Sequence, residues 1–335
     1  MKFPTPIEES IPSIVEQNRD VESFVIQAAA ARTVYFKDPF VPLQFVHFSD
    51  VHHEKENWER IVEYVDYYGD SISFALHTGD YCKGSQAAYV DLYNDCTPCT
   101  RPILNCVGNH DAIESKTVLS SPKSVTHGLL FNCTDGWDVT FMEGAYSMTY
   151  YRDFSESNVR LIVLDLYYDI EEQIRWLEAV LKEARERGYH VITAAHENTA
   201  PFVRFEQVSF QTVEPFFEIA TDNVTHAFED VIVRFKDAGG IHICHLAGHM
   251  HHDMFGYTAR GVLNIAVECA THWPFWCDGR RVRGTRTYDC FNVVSVDVNQ
   301  NHLKLVRIGN NCDHYLRYKR ALCYDYKNQT IIADN

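Results

Sequence analysis

Leu43-Gln44-Phe45-Val46-His47-Phe48 runs directly into Ser49-Asp50-Val51-His52, and this junction decides how the rest of the chain reads. The first six residues are a short apolar run that stops at a polar pair, as a strand does where it leaves a sheet. A helix is expected next, because Trp58, Ile61, Val62 and Val65 recur at helical spacing and Gly69 closes the run. The unit then repeats. Ser73-Phe74-Ala75-Leu76-His77-Thr78 is a second strand ending at Gly79-Asp80, and residues 85–95 read as a helix. Pro102-Ile103-Leu104-Asn105-Cys106-Val107 is a third strand, ending at Gly108-Asn109-His110-Asp111. Strand, loop and helix in alternation predict an α/β protein. Active sites of open α/β sheets form at the carboxyl ends of the strands, so the three polar segments are expected to meet in space.

The pattern continues beyond a less regular stretch. Residues 112–158 are rich in Ser, Thr, Gly and aromatics such as Trp137, Phe141 and Tyr146, and predict loops with some β-structure. A strand is expected over 161–164, then a helix over 170–187 with Ile170, Ile174, Leu177 and Leu181 on one face. Residues 190–195 form a buried-type strand that delivers His196-Glu197-Asn198, and residues 241–246 deliver Gly248-His249-Met250-His251. Strand patterns near 262–268, 290–298 and 302–308 follow without helices, which predicts a second sheet packed on the first. A weaker helical pattern lies around 21–31. No internal repeat, low-complexity tract or Pro/Gly/Ser-rich linker divides the chain.

With 335 residues, 46% hydrophobic and 13% aromatic, the chain can bury a large core, which argues against extensive disorder. No apolar run reaches the roughly 18 residues that span a bilayer. The first residues lack a basic stretch followed by an apolar one, so a cytoplasmic location and no membrane association are expected. A net charge of −16 argues against extended nucleic acid as a partner, because phosphate backbones are held mainly by Lys and Arg. It leaves a small phosphorylated substrate open, since bound metal ions reverse the local field. The 11 cysteines are odd in number and follow no framework spacing, so reduced core residues are expected; Cys96 and Cys99 are the one close pair and read as part of an ordinary loop.

The residues at the strand ends suit a two-metal site. Such a site needs a group that bridges two divalent ions and terminal ligands on each side. Asp80, on a glycine turn, is the candidate bridge, because a carboxylate offers two oxygens and negative charge. Asp50 and His52 are two residues apart, as are His249 and His251, so on an extended segment each pair points to one side. Asn109 offers a neutral amide oxygen. Imidazole and oxygen without thiolate suit two divalent ions of Mn, Fe, Zn or Ni. A single strand-end Asp or His is more often a turn former, but the ordered set reverses that balance.

Asp-x-His, Gly-Asp, Gly-Asn-His-Asp, a lone His and Gly-His-x-His, in this order from Asp50 to His251, resemble the calcineurin-like metallophosphoesterase superfamily. The resemblance implies a four-layer α/β/β/α sandwich, two mixed central sheets flanked by helices. It implies Asp50, His52 and His251 on one metal, Asn109, His196 and His249 on the other, and Asp80 shared. It also implies a phosphomonoester or phosphodiester hydrolase in which metal-held hydroxide attacks phosphorus. His110 is then left over, and the resemblance gives it the role of general acid, with Asp111 behind it. The metallophosphoesterase domain is expected over 41–310, with an N-terminal extension over 1–40 packing on it and a C-terminal extension over 311–335. A nuclease and a non-catalytic metal-binding scaffold of the same fold are the alternatives.

Several further residues carry weaker expectations. His53 and His252 follow ligands and would point away from them; His47, His77, His242 and His245 lie within strands and read as core or supporting residues. Residues 271–286 form an aromatic and basic stretch in an acidic chain. Arg281 and Arg283 within it are candidate substrate-phosphate ligands, against the plainer reading of a packed loop with solvated arginines. Residues 315–326, aromatic and basic, are expected to pack across the sandwich or to form an oligomer contact.

Overall fold

Every residue of Leu43–Phe48 (β1) is buried, which a strand achieves only when both faces of its sheet are covered. The computed structural model describes residues 13–19, 42–81, 99–111, 137–143, 148–200, 202–205, 223–271, 281–310 and 321–334. A short helix, Ile14–Gln17 (α1), precedes β1; then come Lys55–Tyr67 (α2), Ala75–His77 (β2) and Ile103–Asn105 (β3). Thr140–Phe141 (β4), Tyr150–Phe154 (β5) and Val159–Val163 (β6) lead to the helix Ile170–Glu186 (α3) and the strands His190–Ala194 (β7) and Phe202–Phe205 (β8). The helix Asn223–Asp237 (α4) is followed by Ile241–Ala247 (β9), Met254–Thr258 (β10) and Leu263–Ala266 (β11). Cys290–Asp297 (β12), His302–Gly309 (β13), Ala321–Asp325 (β14) and Thr330–Asp334 (β15) are the last described strands.

Among the described residues the strands form two mixed sheets. The seven-stranded sheet has the order β15-β14-β13-β12-β1-β2-β3, with β1, β2 and β3 parallel and the remaining pairs antiparallel. The eight-stranded sheet has the order β4-β5-β6-β7-β9-β11-β10-β8, with a parallel centre of β6, β7, β9 and β11. Two packed sheets match the sequence expectation, but their make-up differs from it. The helix-free strands β12 and β13 do not found a second sheet. They return to pair antiparallel with β1 and extend the first one, while β11 belongs to the other. Strand patterning reports burial and not partners, so the switch from βα alternation to pure β cannot reveal this return. Residues 321–334, which the sequence places in a C-terminal extension, are the last two strands of the first sheet.

The layers follow from where apolar side chains point. Between the sheets, Phe45, Leu76, Leu104, Val294 and Leu305 meet Leu161, Ile192, Leu246 and Ile265. Outside the first sheet, α2 lays Trp58, Ile61, Val62 and Val65 on Val46, Phe48 and Val293, and Ile14 and Val15 of α1 join them. Outside the second, Leu177, Val180 and Leu181 of α3 and Phe228, Val231 and Phe235 of α4 cover Ile162, Leu164 and Val191. Each such large side chain contributes about 1.5–3 kcal/mol when fully buried. The result is the four-layer α/β/β/α sandwich. Tyr324 and Tyr326 of the 315–326 stretch are buried in the inter-sheet core. The helical patterns at 21–31 and 85–95 lie outside the described residues.

Candidate metal centre

The loops that follow β1, β2 and β3 are laced together by their backbones. Asp50 N–H donates to Gly79 O at 2.9 Å, His52 N–H to Asp80 O at 3.1 Å and His53 N–H to Tyr81 O at 3.1 Å. This lacing uses unusual geometry. Asp50, His52, His53, Asp80, His249 and His251 all have positive φ, between 43° and 75°. Asp and His reach the left-handed region more readily than most side chains, yet each such residue costs of order 1–3 kcal/mol. Strain of this kind clusters at active sites and ligand clamps, which makes this cluster the candidate site. It also corrects the expectation of extended i, i+2 pairs. Asp50 and His52, like His249 and His251, share a side because left-handed turns throw them together, not through strand alternation.

The side chains converge in two groups joined by one carboxylate. Ligand atoms of Asp50, His52, Asp80 and His251 lie within 4.8 Å of one another, and so do those of Asp80, His196 and His249. In the first group His52 Nε2 is 3.0 Å from His251 Nε2, which is 3.1 Å from Asp50 Oδ1. In the second, His249 Nδ1 is 3.2 Å from His196 Nε2, and both lie 3.0 Å from Asn109 Oδ1. Asp80 divides its oxygens: Oδ1 accepts the His110 N–H at 2.8 Å, while Oδ2 lies 3.3 Å from His196 Nε2 and 3.9 Å from His52 Nε2.

These separations fit metal ions. Ligand atoms about 2.0–2.2 Å from a common ion and at right angles stand about 3 Å apart. Two imidazole nitrogens at 3.0 Å otherwise need a proton between them. Asp50 Oδ1 is buried, and the polar atom the structure sets beside it is His251 Nε2 at 3.1 Å, itself a ligand candidate. A buried carboxylate oxygen facing imidazole nitrogens in this way suits a shared cation. His196 is also prepared from behind, since its Nδ1 lies 2.7 Å from Thr78 O, which fixes Nδ1 as the donor and turns the Nε2 lone pair inward.

The electrostatics agree. Burial would raise the Asp50 carboxyl, but the His251 imidazole beside it holds it well below the usual carboxylate range. Burial would likewise lower His196, but the Asp80 carboxylate overrides it and lifts the imidazole to about 10. His249 is lowered, by burial and by His196. The buried Asp80 carboxylate therefore favours the charged form of His196, whose Nε2 lies 3.3 Å from Oδ2.

The remaining candidates separate. His110 stands over the cluster, a fifth exposed, with Nε2 3.9 Å from Asp80 Oδ2 and its ring edge-on to His52 at 5.0 Å. Asp111 Oδ2 accepts N–H groups of Gly108 at 2.9 Å and Tyr81 at 3.4 Å, so the carboxylate pins the 79–81 and 108–111 loops together. His47 Nε2 is 3.1 Å from Thr78 Oγ1, and His245 Nε2 is 2.9 Å from Glu197 O, which makes both of them supports for ligand-bearing loops. Cys99 is half-buried, with its thiol pushed up to about 12 by burial, while Cys96 and residues 272–280 lie outside the described residues.

Arg281 requires a correction. Its side chain is fully buried and paired with Glu268 Oε1 at 2.9 Å, with further donations to Cys269 O at 2.6 Å and Tyr288 O at 3.3 Å. A guanidinium enclosed in this way presents no face to a substrate phosphate. Arg283 is exposed and paired with Glu56. Arg281→Ala is therefore expected to lower stability by about 3–5 kcal/mol, because it strands a buried Glu268. Denaturant unfolding checks this, and Arg283→Ala should leave the unfolding midpoint nearly unchanged. A smaller loss for Arg281→Ala than for Arg283→Ala would contradict the assignment.

The sequence model of the calcineurin-like phosphoesterases matches residues 43–253, a span that holds all seven converging ligand candidates and His110. The chain belongs to the calcineurin-like phosphoesterase family. The structure of a dimetal phosphatase from Danio rerio is similar at 13% identity and a TM-score of 0.53, over 80% of this chain and 96% of that one. A Streptococcus pneumoniae protein described as a predicted phosphoesterase matches 81% of this chain and 91% of its own at 12% identity and a TM-score of 0.33. A Thermus thermophilus protein covers 88% and 99% at 10% identity and 0.38. No curated protein sequence matches the chain. Among the described residues no helix is long and apolar enough to cross a membrane.

Proposed function

We propose that this protein is a binuclear metal-dependent phosphohydrolase acting on a small or peripheral phosphomonoester or phosphodiester. The observation that carries the reading is the pair of ligand groups with Asp80 in common. Asp50, His52 and His251 would hold one divalent ion, Asn109, His196 and His249 the other, with Asp80 between them. Family membership supports the reaction class, and the fold shared with a dimetal phosphatase supports the pairing of metals. Two ions bound there would supply a water ionised near neutral pH and positive charge for the phosphoryl oxygens.

The chain's own residues do the rest. Asp80, fixed at Oδ1 by the His110 amide, keeps its other oxygen in line with both imidazole groups. His196 is locked in one tautomer by Thr78 O. His110, on the accessible side of the cluster, would give the proton on Nε2 to the departing alkoxide oxygen. Asp111 positions His110 by holding the turn that carries it.

Turnover of parallel monoester and diester panels with Mn, Zn and Mg tests the reading. His110→Ala should lower kcat by about 10²–10⁴-fold on alkyl esters, the usual worth of a general acid. The loss should be smaller on a nitrophenyl ester, whose leaving phenolate needs no proton. Metal-loaded wild type that turns over none of these substrates defeats the enzyme reading. Equal losses on both ester types would remove His110 from the acid role.

A further inference from the structure

The inner faces of three neighbouring strands change character just below the metal centre. On β1 the inward residues run Leu43, Phe45, His47; on β12 they run Val296, Val294, Asn292; on β13 they run Leu303, Leu305, Arg307. Each face is apolar until its last step towards the ligand loops. His47, Asn292 and Arg307 are then register partners across the sheet, and all three are fully buried. A buried polar row across an apolar interface opposes packing unless it has a task.

Both ends of the row reach loops that carry ligands. At one end His47 Nε2 is 3.1 Å from Thr78 Oγ1, beside the Gly79-Asp80 turn, and Thr78 O fixes His196. At the other, Arg307 pairs with Asp253, two residues beyond His251 at the exit of the Gly248–His251 loop. Asp253 Oδ1 also accepts the Glu268 N–H at 3.0 Å. From Glu268 the chain continues to Ala270 and Thr271, whose N–H groups donate to Ser49 O at 2.8 Å and Asp50 O at 3.2 Å. Arg307 lies in the seven-stranded sheet and Asp253 directly precedes β10 of the eight-stranded one, and the ligand candidates divide in the same way. Asp50, His52, Asp80 and Asn109 follow strands of the seven-stranded sheet; His196, His249 and His251 follow strands of the eight-stranded one.

A centre built across a seam needs the two sheets held to within a fraction of an ångström. Interdigitated apolar side chains resist separation but have no directional preference, whereas an ion pair fixes both distance and angle. We propose that Arg307 is a positioning residue for the metal centre. Through Asp253 it clamps the Gly248–His251 loop of one sheet to the other, setting the separation of the two ligand groups. The inference rests on the binuclear reading above.

The test compares Arg307→Met, Arg307→Lys, Asp253→Asn and the double variant Asp253→Asn/Arg307→Met in the full chain. Mn and Zn stoichiometry and affinity, kcat, KM and apo melting temperature are measured for each. Loss of a supporting partner typically costs about 10–100-fold in metal affinity or activity. Arg307→Met and Asp253→Asn should show a loss of that size in metal affinity and kcat, with a smaller change in KM, at temperatures where they are folded. Arg307→Lys should recover part of it. A residue that only stabilised the fold would lower the melting temperature and leave metal affinity unchanged. If Arg307→Met does not fold, the double variant, which leaves no unpaired buried charge, carries the test. Folded variants that bind two ions as tightly as wild type overturn the inference alone. Wild type that binds no divalent ion overturns the binuclear reading, and the inference with it.

Discussion

Asp80→Ala is expected to abolish turnover and, in the same step, the rise in melting temperature that divalent ions produce. Asp80 is the one group that belongs to both candidate ligand sets among the described residues, so its loss would take a ligand from each ion. A carboxylate shared by two dications would also offset their mutual repulsion. If the centre supplies about 5–6 kcal/mol of transition-state stabilisation, turnover should fall by about four orders of magnitude. Ligand binding raises stability by RT ln(1 + [L]/Kd), so a metal-dependent shift in melting temperature should vanish as the affinity falls. Asp80→Asn keeps an oxygen for the His110 amide and removes only the charge, so it should fall between alanine and wild type. The readouts are kcat and melting temperature with and without Mn or Zn. Retention of both the metal-induced shift and activity within tenfold of wild type in Asp80→Ala would remove the shared-ligand reading.

Most of the candidate ligand cluster is legible in the sequence because Asp50, Asp80, Asn109, His196 and His249 each sit just past a recognisable strand. The order of those strand ends is a property of sequence alone. What the sequence hides is partnership. Arg281 reads with its neighbours as a basic stretch available to substrate, but its charge is matched by Glu268, 13 residues earlier and close only in the fold. Asp111 reads as the group that orients His110, yet its carboxylate joins two loops through backbone amides. Arg307 leaves a clear trace: in His302–Gly309 it follows Leu303 and Leu305 on the inward face, where an arginine contradicts the period-two pattern. A charge out of phase with strand alternation is a sign of buried electrostatics, and it is visible in the order of residues alone.

The return of β12 to β1 gives this detail its consequence. If β12 and β13 formed a sheet of their own, Arg307 would lie far from the Asp50 loop. Paired as they are, β12 lies between β13 and β1 and carries the register from Arg307 through Asn292 to His47, so the polar row falls beneath the ligand candidates. Topology therefore sets a late arginine in one row with His47 of β1, and the parallel strands of both sheets end at the seam where the ligand candidates gather.

Gly79→Ala is expected to damage the centre nearly as severely as loss of a ligand, although Gly79 offers no side chain to any ion. Its φ is +99°, and a Cβ there would stand 2.7 Å from His196 Nδ1 and 2.8 Å from Gly108 N. Both neighbours already have tasks: His196 Nδ1 meets Thr78 O at 2.7 Å and Gly108 N–H donates to Asp111 Oδ2 at 2.9 Å. Neither can retreat without breaking the bond that sets a ligand or the His110 turn. Gly79 O also accepts the Asp50 N–H, so a shift of this residue moves the first loop as well. Displacing reacting groups by about 1 Å costs on the order of 100-fold in rate, and two ligand loops would move here. We expect kcat/KM to fall by at least about 100-fold, together with weaker metal binding. Gly188→Ala is the control: its φ is +76°, with nothing within 4 Å of where a Cβ would stand, so it carries backbone strain without overlap. That variant should lose about 1–2 kcal/mol of stability, the cost of a left-handed alanine, and keep full activity. If Gly79→Ala loses no more activity than Gly188→Ala, the centre does not depend on the close approach of the 79–81 turn to His196 and Gly108.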